Sequence, residues 1–346
     1  MDKSKNRGSD RKIWHTMKLV RDLYINGNYQ VTIFGIYGET REYLALRDGE
    51  DLISNFPDSI DLKITNKCSH GCKFCHESSS STGKSFNLSR TLEILDDLPK
   101  VGLEIAIGGG NIFDCWEDFL SLCMVLKKRN HNIRCTINLK DLFDPVKLSK
   151  LKSDLIENFS SLCLGISVPG LQSFLDYKKF IEDNPDLPNP LETFPRTRVV
   201  YHIIAGLFPA KDLSDFLEEI DYCAVLILGY KNFGRALNLP TPDMTEWKDV
   251  ISKLLFSYRG GTCVDKKSWL FIGFDNLAIT QLDLKDCLLK KEWDYFYLGN
   301  DFSHSMYIDA VEETYAPNSR CPIDQRVSWD SERLLDYFNK NKSSWN

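Results

Sequence analysis

Between Ile60 and Gly229 the chain alternates short strand-like runs with helical ones, and no other feature restricts the fold as much. Ile60–Thr65, Leu103–Gly108, Ile133–Asn138, Leu162–Val168, Arg198–Ile204 and Ala224–Leu228 read as strands. Leu88–Leu98, Trp116–Arg129, Pro145–Asn158, Leu171–Glu182 and Ala210–Ile220 read as the helices between them. Six strands with five intervening helices mark a parallel α/β sheet, which right-handed crossovers wind into a barrel or an open twist. Several strands alternate instead of running apolar throughout. Ile60, Leu62 and Ile64 oppose Asp61, Lys63 and Thr65, and Ile133, Cys135 and Ile137 oppose Arg134, Thr136 and Asn138. Successive side chains point to opposite faces, so one face is apolar and suits helices, while the other is polar or small. A polar inner face predicts a cavity that holds something polar.

Flanking segments divide the chain into residues 1–57, 58–235 and 236–346. Ahead of the alternating core, Tyr29–Tyr37 and Arg41–Leu46 read as a β-hairpin around Gly38, preceded by a polar tail, Met1–Lys12. After the core come a helix at Met244–Tyr258, a strand at Trp269–Gly273, a hairpin-like region at Tyr295–Ala316 and a helix at Ser331–Asn339. This mixed α+β extension is expected to cap the core. The 346 residues, 42% hydrophobic and 27% charged, suit a large soluble core, with no run able to span a bilayer and no signal-peptide pattern. A net charge of −6 argues against a broad nucleic-acid surface. Eleven cysteines without a secreted framework point to a reducing cytoplasm. Those in apolar segments, such as Cys123, Cys135, Cys163 and Cys223, read as small hydrophobes.

Cys68, Cys72 and Cys75 stand apart, because their spacing of four and then three residues directly after the first core strand puts three thiols on one short loop. Soft thiolates grouped this way select zinc or iron–sulfur clusters over hard cations. With His70 or His76 they also make a Cys3His set that tetrahedral zinc accepts, in a binding or redox-sensing protein with no catalytic role. Three cysteines serving a cluster of four irons would instead leave one iron open.

The Cys68-x3-Cys72-x2-Cys75 pattern, with aromatic Phe74 before its last cysteine, resembles the signature of the radical S-adenosylmethionine (radical SAM) enzymes, of the uncharacterised type seen in bacterial and phage genomes. The resemblance extends from Ile60 to about Gly229 and implies a partial (βα)6 TIM-like barrel. It implies that the three cysteines hold a 4Fe–4S cluster, that SAM chelates the open iron, and that reductive cleavage yields a 5′-deoxyadenosyl radical that takes hydrogen from a substrate. Gly108-Gly109-Gly110 is similar to the family's Gly-Gly-Glu motif at the methionyl amine, although Gly110 stands where an acid often does. Ser167 matches the ribose-contacting residue, and Ile204 and Leu228 match the strand ends that meet adenine. Such chemistry implies an external flavodoxin- or ferredoxin-like reductant.

The substrate is not named by these motifs, and no catalytic side chain is assigned from them. Glu104, Arg134, Asn138 and His202 on the polar face, and Lys231 and Arg235 just past the last core strand, are the candidate contacts for a small polar molecule. Cys263, Cys287 and Cys321 are spaced too widely for the paired short loops of an additional cluster.

Overall fold

A computed structural model describes residues 20–35, 40–48, 50–159, 161–193, 198–220, 224–259, 271–297 and 299–342. Its strands are β1 Val20–Asn26, β2 Tyr29–Phe34, β3 Thr40–Ala45, β4 Ser59–Thr65, β5 Glu104–Gly109, β6 Asn132–Asn138, β7 Cys163–Ser167, β8 Val199–Ile204, β9 Ala224–Leu228, β10 Phe271–Phe274, β11 Ser305–Asp309, β12 Thr314–Ala316 and β13 Val327–Ser328. Its helices are α1 Leu88–Leu95, α2 Trp116–Lys128, α3 Pro145–Lys150, α4 Leu171–Asp183, α5 Pro190–Thr193, α6 Leu213–Glu219, α7 Thr245–Arg259, α8 Asn276–Gln281, α9 Leu284–Cys287, α10 Lys290–Phe296 and α11 Leu334–Asn341.

All six expected core strands are present and form adjacent parallel pairs from β4 to β9. Their alternation works as the sequence implies. Ile60, Leu62, Ile64, Ile105, Ile107, Ile133, Cys135 and Ile137 are buried, whereas Glu104, Ala106, Arg134, Thr136 and Asn138 on the other face are only partly covered. Helices α1 and α3 have side-chain caps that set where they start. Asn87 caps α1 by accepting from the Arg90 amide, and Asp144 caps α3 just before Pro145 at the first helical position. After α3 the chain widens into a π-helical turn, Leu151–Ile156, within the segment expected to be one helix, 145–158.

The C-terminal stretch does more than cover the core, because it lengthens the sheet at both edges. The full order is β10-β9-β8-β7-β6-β5-β4-β11-β12-β13. Strand β10 pairs parallel with β9, and β11 pairs parallel with β4, so eight parallel strands curve into a barrel that does not close. Strands β12 and β13 follow as antiparallel additions. Residues 260–270, which include Cys263 and the start of the expected 269–273 strand, lie outside the described residues, as do Met1–Lys12, Gly38 and Cys223.

The N-terminal segment is a three-stranded antiparallel sheet, one strand more than the expected hairpin. Strand β1 breaks the period-two pattern with a register shift between Val20 and Asp22, which hides it from an alternation test. This small sheet lies against the residues that precede β4 and β5. Asp58, fully buried before β4, accepts hydrogen bonds from Tyr24 (2.9 Å), Asn26 (2.9 Å) and Tyr29. Arg41 of β3 donates to the carbonyls of Asp58 (3.2 Å) and Gly102 (2.7 Å), so the sheet closes the N-terminal end of the barrel.

Candidate functional site

The cysteine loop leaves β4 at Thr65 and folds back on itself before α1. Cys68 N donates to Ser80 O (2.8 Å), Ser80 N to Asn66 O (3.0 Å), Asn66 N to Lys84 O (2.7 Å) and Phe86 N to Ile64 O (2.8 Å). These bonds tie both ends of the loop to the strand and hold Cys68, Cys72 and Cys75 on the turn between them. All three thiols are free and half-buried. Burial and the neighbouring Cys72 and Cys75 push the Cys68 thiol up. Three thiols on one short turn are a soft donor set of the kind that zinc or an iron–sulfur cluster takes.

Three further segments brace this loop. On the first side stands the glycine run. Gly110 N donates to Thr65 O (2.6 Å) and Asn111 N to Lys67 O (2.8 Å), so the end of β5 packs on the loop's backbone. A Cβ on Gly110 would lie 2.2 Å from Lys67 O, so no larger residue fits there. That contact accounts for a glycine where the family often has an acid. Gly108, by contrast, faces open space.

His70, inside the loop, forms the second brace. Its Nε2 lies 3.0 Å from Asp141 Oδ1, and Asn111 Nδ2 also donates to Asp141 Oδ1 (3.1 Å). Lys147 Nζ reaches the same carboxylate at 2.5 Å. Burial would raise the Asp141 carboxyl, but His70 and Lys147 more than offset it and hold it below the usual carboxylate range. None of Asp141, Asn111 or Lys147 stands out by spacing in the sequence.

Arg235 is the third brace. Its Nε donates to Cys72 O (2.9 Å), its Nη1 to Ser79 O (2.6 Å) and its backbone N to Cys75 O (3.0 Å). The preceding Gly234 has φ +56°, and a Cβ there would lie 2.4 Å from His76 O and 2.8 Å from Cys75 O. Arg235, expected as a substrate contact, therefore has its guanidinium turned onto the cysteine loop.

Beside the loop, Phe74, His76, Ile204, Leu207, Leu228, Gly229, Tyr230 and Lys231 line one pocket. Phe74, Ile204 and Leu228 are motif residues and Lys231 a candidate substrate contact; His76, read from the sequence as a possible zinc ligand, lines the pocket with them, and Leu207 and Tyr230 carry no spacing signal. Asp275 holds the far wall, accepting from Gly229 N (2.9 Å) while capping α8 through Ala278 N (2.7 Å).

Below this pocket the inner face of the sheet is heavily charged. Glu104 pairs with Arg134 at 2.8 Å and lies 3.9 Å from Arg41. Lys63 meets Glu77 (2.7 Å) and Asp309 (2.9 Å), and Arg326 also meets Asp309 (2.7 Å). Glu77 is held well below the usual range: burial works against this, but His76 and Lys63 outweigh it. His202 fits against Gly165, where a Cβ would come within 2.7 Å of its ring, and burial, reinforced by Arg134, pushes it down to about 4. Asn138 is taken up by the backbone, accepting from Lys140 N (3.0 Å). Ser167 pairs in register between Asn138 and His202 at the end of β7. Cys287 and Cys321 lie in the C-terminal stretch, on α9 and after β12. Among the described residues, no three His, Cys, Asp or Glu side chains, Cys68, Cys72 and Cys75 included, are drawn together closely enough to hold a metal ion.

Residues 62–180, which span the cysteine loop and strands β4 to β7, match the model of the Radical SAM superfamily. The chain carries a radical SAM domain. Solved radical SAM structures share the fold well beyond that domain. SuiB of Streptococcus suis bound to S-adenosylmethionine superposes with a TM-score of 0.58 at 16% identity, covering 83% of this chain and 66% of SuiB. The same enzyme bound to its precursor peptide SuiA gives 0.57 at 15% identity, covering 83% and 65%. The structure of anSMEcpe with AdoMet and a Cp18Cys peptide gives 0.53 at 12% identity, covering 82% and 80%. The chain therefore spans just under two thirds of SuiB's own length. No curated protein matches by sequence. Radical SAM proteins use a 4Fe–4S cluster; three free thiols on one braced loop suit that group by donor chemistry, although the side chains are not gathered around a common point.

Proposed function

We propose that this protein is a radical SAM enzyme in which Cys68, Cys72 and Cys75 hold a 4Fe–4S cluster and the adjoining pocket receives SAM. When bound, these groups supply a 5′-deoxyadenosyl radical that removes a hydrogen atom from a substrate. The chain's own residues bind, orient and shield. Phe74, Ile204 and Leu228 offer an apolar slot for the adenine, Gly108 to Gly110 let backbone carbonyls approach the methionyl amine, and Ser167 offers a hydroxyl to the ribose. The observation that carries this reading is the convergence of Phe74, Ile204 and Leu228 on one pocket beside the braced loop.

The rival is a zinc site in a protein without catalytic activity. It needs His70 or His76 as a fourth ligand; Nε2 of each faces a carboxylate, His70 that of Asp141 and His76 that of Glu77 at 3.3 Å, which leaves Nδ1 for a metal. Metal analysis of the reconstituted protein separates the two readings. The reaction also needs a one-electron donor of the flavodoxin or ferredoxin kind. The substrate is a small polar molecule or a polar side chain of a peptide, since SuiB and anSMEcpe were both captured with peptides. No described helix is long and apolar enough to cross a membrane.

Anaerobic reconstitution tests the reading. The protein should bind about four irons per chain and, once reduced, convert SAM to 5′-deoxyadenosine. Cys72→Ala should abolish both. A colourless protein with stoichiometric zinc, or deoxyadenosine formed equally well by the variant, would overturn it.

A further inference from the structure

The charges on the inner face of the barrel are matched, with one exception. Glu104 has Arg134, Asp309 has Lys63 and Arg326, and Glu77 has Lys63 and His76. Asp301 has Arg320 together with the amides of Asn276 and Asn318, and Asp275 is taken up by two backbone amides. Asp61 has no hydrogen-bond or ion-pair partner among the described residues.

Its position makes this unusual. Asp61 stands in the middle of β4 on the cavity side, since Ile60 and Leu62 on either side are buried against the helices. Its neighbour in register on β5 is Ala106, and the next residue on that face of β5 is Gly108, so no bulky β5 side chain covers it. On the other side it registers with Tyr307 of β11, whose hydroxyl points to Glu77 at 3.3 Å. The carboxylate is open to water, yet surrounded electrostatically by Glu104, Asp275, Asp301 and Lys231 from other elements. Such a group lines an interior space and not an outer surface. Lys231 is the cation it feels most, but it lies beyond ion-pair distance and donates to Ser319 Oγ at 2.8 Å.

A carboxylate that faces the inside of the barrel, is accessible and has no partner, while the other acids around it are engaged, is available to a ligand. A cation brought by a ligand is the natural complement. We propose that Asp61 is the substrate-recognition carboxylate of this cavity, and that the substrate presents a protonated amine or a guanidinium to it. The inference rests on the radical SAM reading and narrows its substrate class. Asp61 lies two residues below Lys63 on β4, roughly 7 Å deeper along the strand. A cation seated there anchors the far end of a substrate whose reacting carbon stays near the cysteine loop.

Probes of matched length test this on the full chain reconstituted with cluster and SAM. Pentylamine, pentanol and pentanoate differ in charge alone, and acetyl-Gly-Lys-Gly-amide and acetyl-Gly-norleucine-Gly-amide repeat the contrast within a peptide. Calorimetric titration at about pH 7.5 should show the cationic member of at least one series binding at least about tenfold tighter than its neutral partner. Asp61→Asn should erase that preference. If the preference appears with the lysyl peptide alone, the source is a peptide side chain; if pentylamine shows it too, a free amine suffices. Should Asp61→Asn fail to fold, the wild type still decides. Burial pushes Asp61 up to about 6 against the pull of Lys231, so the preference should fade below that pH. Other charges facing Asp61 are Glu104, Asp275, Asp301 and Lys231, and His202 and His304 stay neutral down to about 4. Equal binding of cationic and neutral probes in both series, or a preference that survives in Asp61→Asn, overturns the inference. Deoxyadenosine formation by the wild type is measured separately. If it occurs without any cation preference, only Asp61 is misassigned; if it is absent, the radical SAM reading itself fails.

Discussion

Arg235 offers the sharpest check on how the cysteine loop is held. Its side chain donates to the carbonyls of Cys72 and Ser79, at 2.9 and 2.6 Å, from a position half-buried beyond β9. Hydrogen bonds from a charged donor are worth roughly 1.5–3 kcal/mol each. Partial exposure argues for the lower end, so Arg235→Met should cost the loop about 3 kcal/mol. Each 1.4 kcal/mol is tenfold, and loop opening should therefore rise on the order of 100-fold. The loss is local, because the backbone bond from residue 235 to Cys75 O survives and no core side chain moves. Amide exchange read by mass spectrometry separates these cases. Amides that bond within the loop, at Cys68, Ser78 and Ser80, should exchange far faster, while those of β4 and β5 keep wild-type protection. Unchanged loop exchange in the variant would refute the bracing argument. Equal loss of protection in β4 would refute its locality.

Gly234→Ala should damage the same junction by a different route. The left-handed backbone costs about 1–2 kcal/mol for an alanine, and a Cβ 2.4 Å from His76 O must push the loop away. Iron retained after reconstitution should fall well below wild type, and wild-type retention would count against the close approach. Acid should destabilise the metal-free protein before its carboxylates protonate. Burial holds His131, His202 and His304 each down to about 4, against 6.5 when unfolded. Folded values that are depressed give stability above 6.5 that is lost as pH falls towards 4, about 2 kcal/mol per histidine at pH 5. Asp61, raised to about 6, works in the opposite direction and offsets part of this. Melting temperature should drop between pH 7 and 5, less steeply in His131→Gln; a flat profile would show that these rings are not held neutral.

The parallel core was legible because β4 to β8 repeat one simple signal, a buried aliphatic every second residue. Where that signal is broken, sequence reading stops short. Strand β1 carries a register shift and does not read as a strand, and β10, read at Trp269–Gly273, gives no sign of its parallel pairing with β9. Strands β11 and β12 did read as a local hairpin region, but β13 did not, and nothing local reveals that β11 pairs with β4, some 240 residues earlier. Edge pairing at that separation is decided by which sheet edge is vacant, and that is a property of the assembled core.

The site divides along the same line. Cys68, Phe74, Gly110 and Leu228 could be singled out because the roles proposed for them rest on spacing or on backbone shape, and both are written along the chain. Asp141 and Arg235 act through partners far away in sequence. Arg235 looked like a free cation at the barrel mouth, since nothing within ten residues accepts its hydrogen bonds; its acceptors are Cys72 and Ser79. Asp61 looked like one more polar residue of an alternating strand. Its significance appears only once every other charge in the cavity has been given its partner, leaving this carboxylate without one. What a cavity recognises follows from the charges it leaves over. In this barrel the remainder is the accessible carboxylate of Asp61, with Lys231 nearby but beyond ion-pair distance, and the proposed cationic substrate is the partner that would complete it.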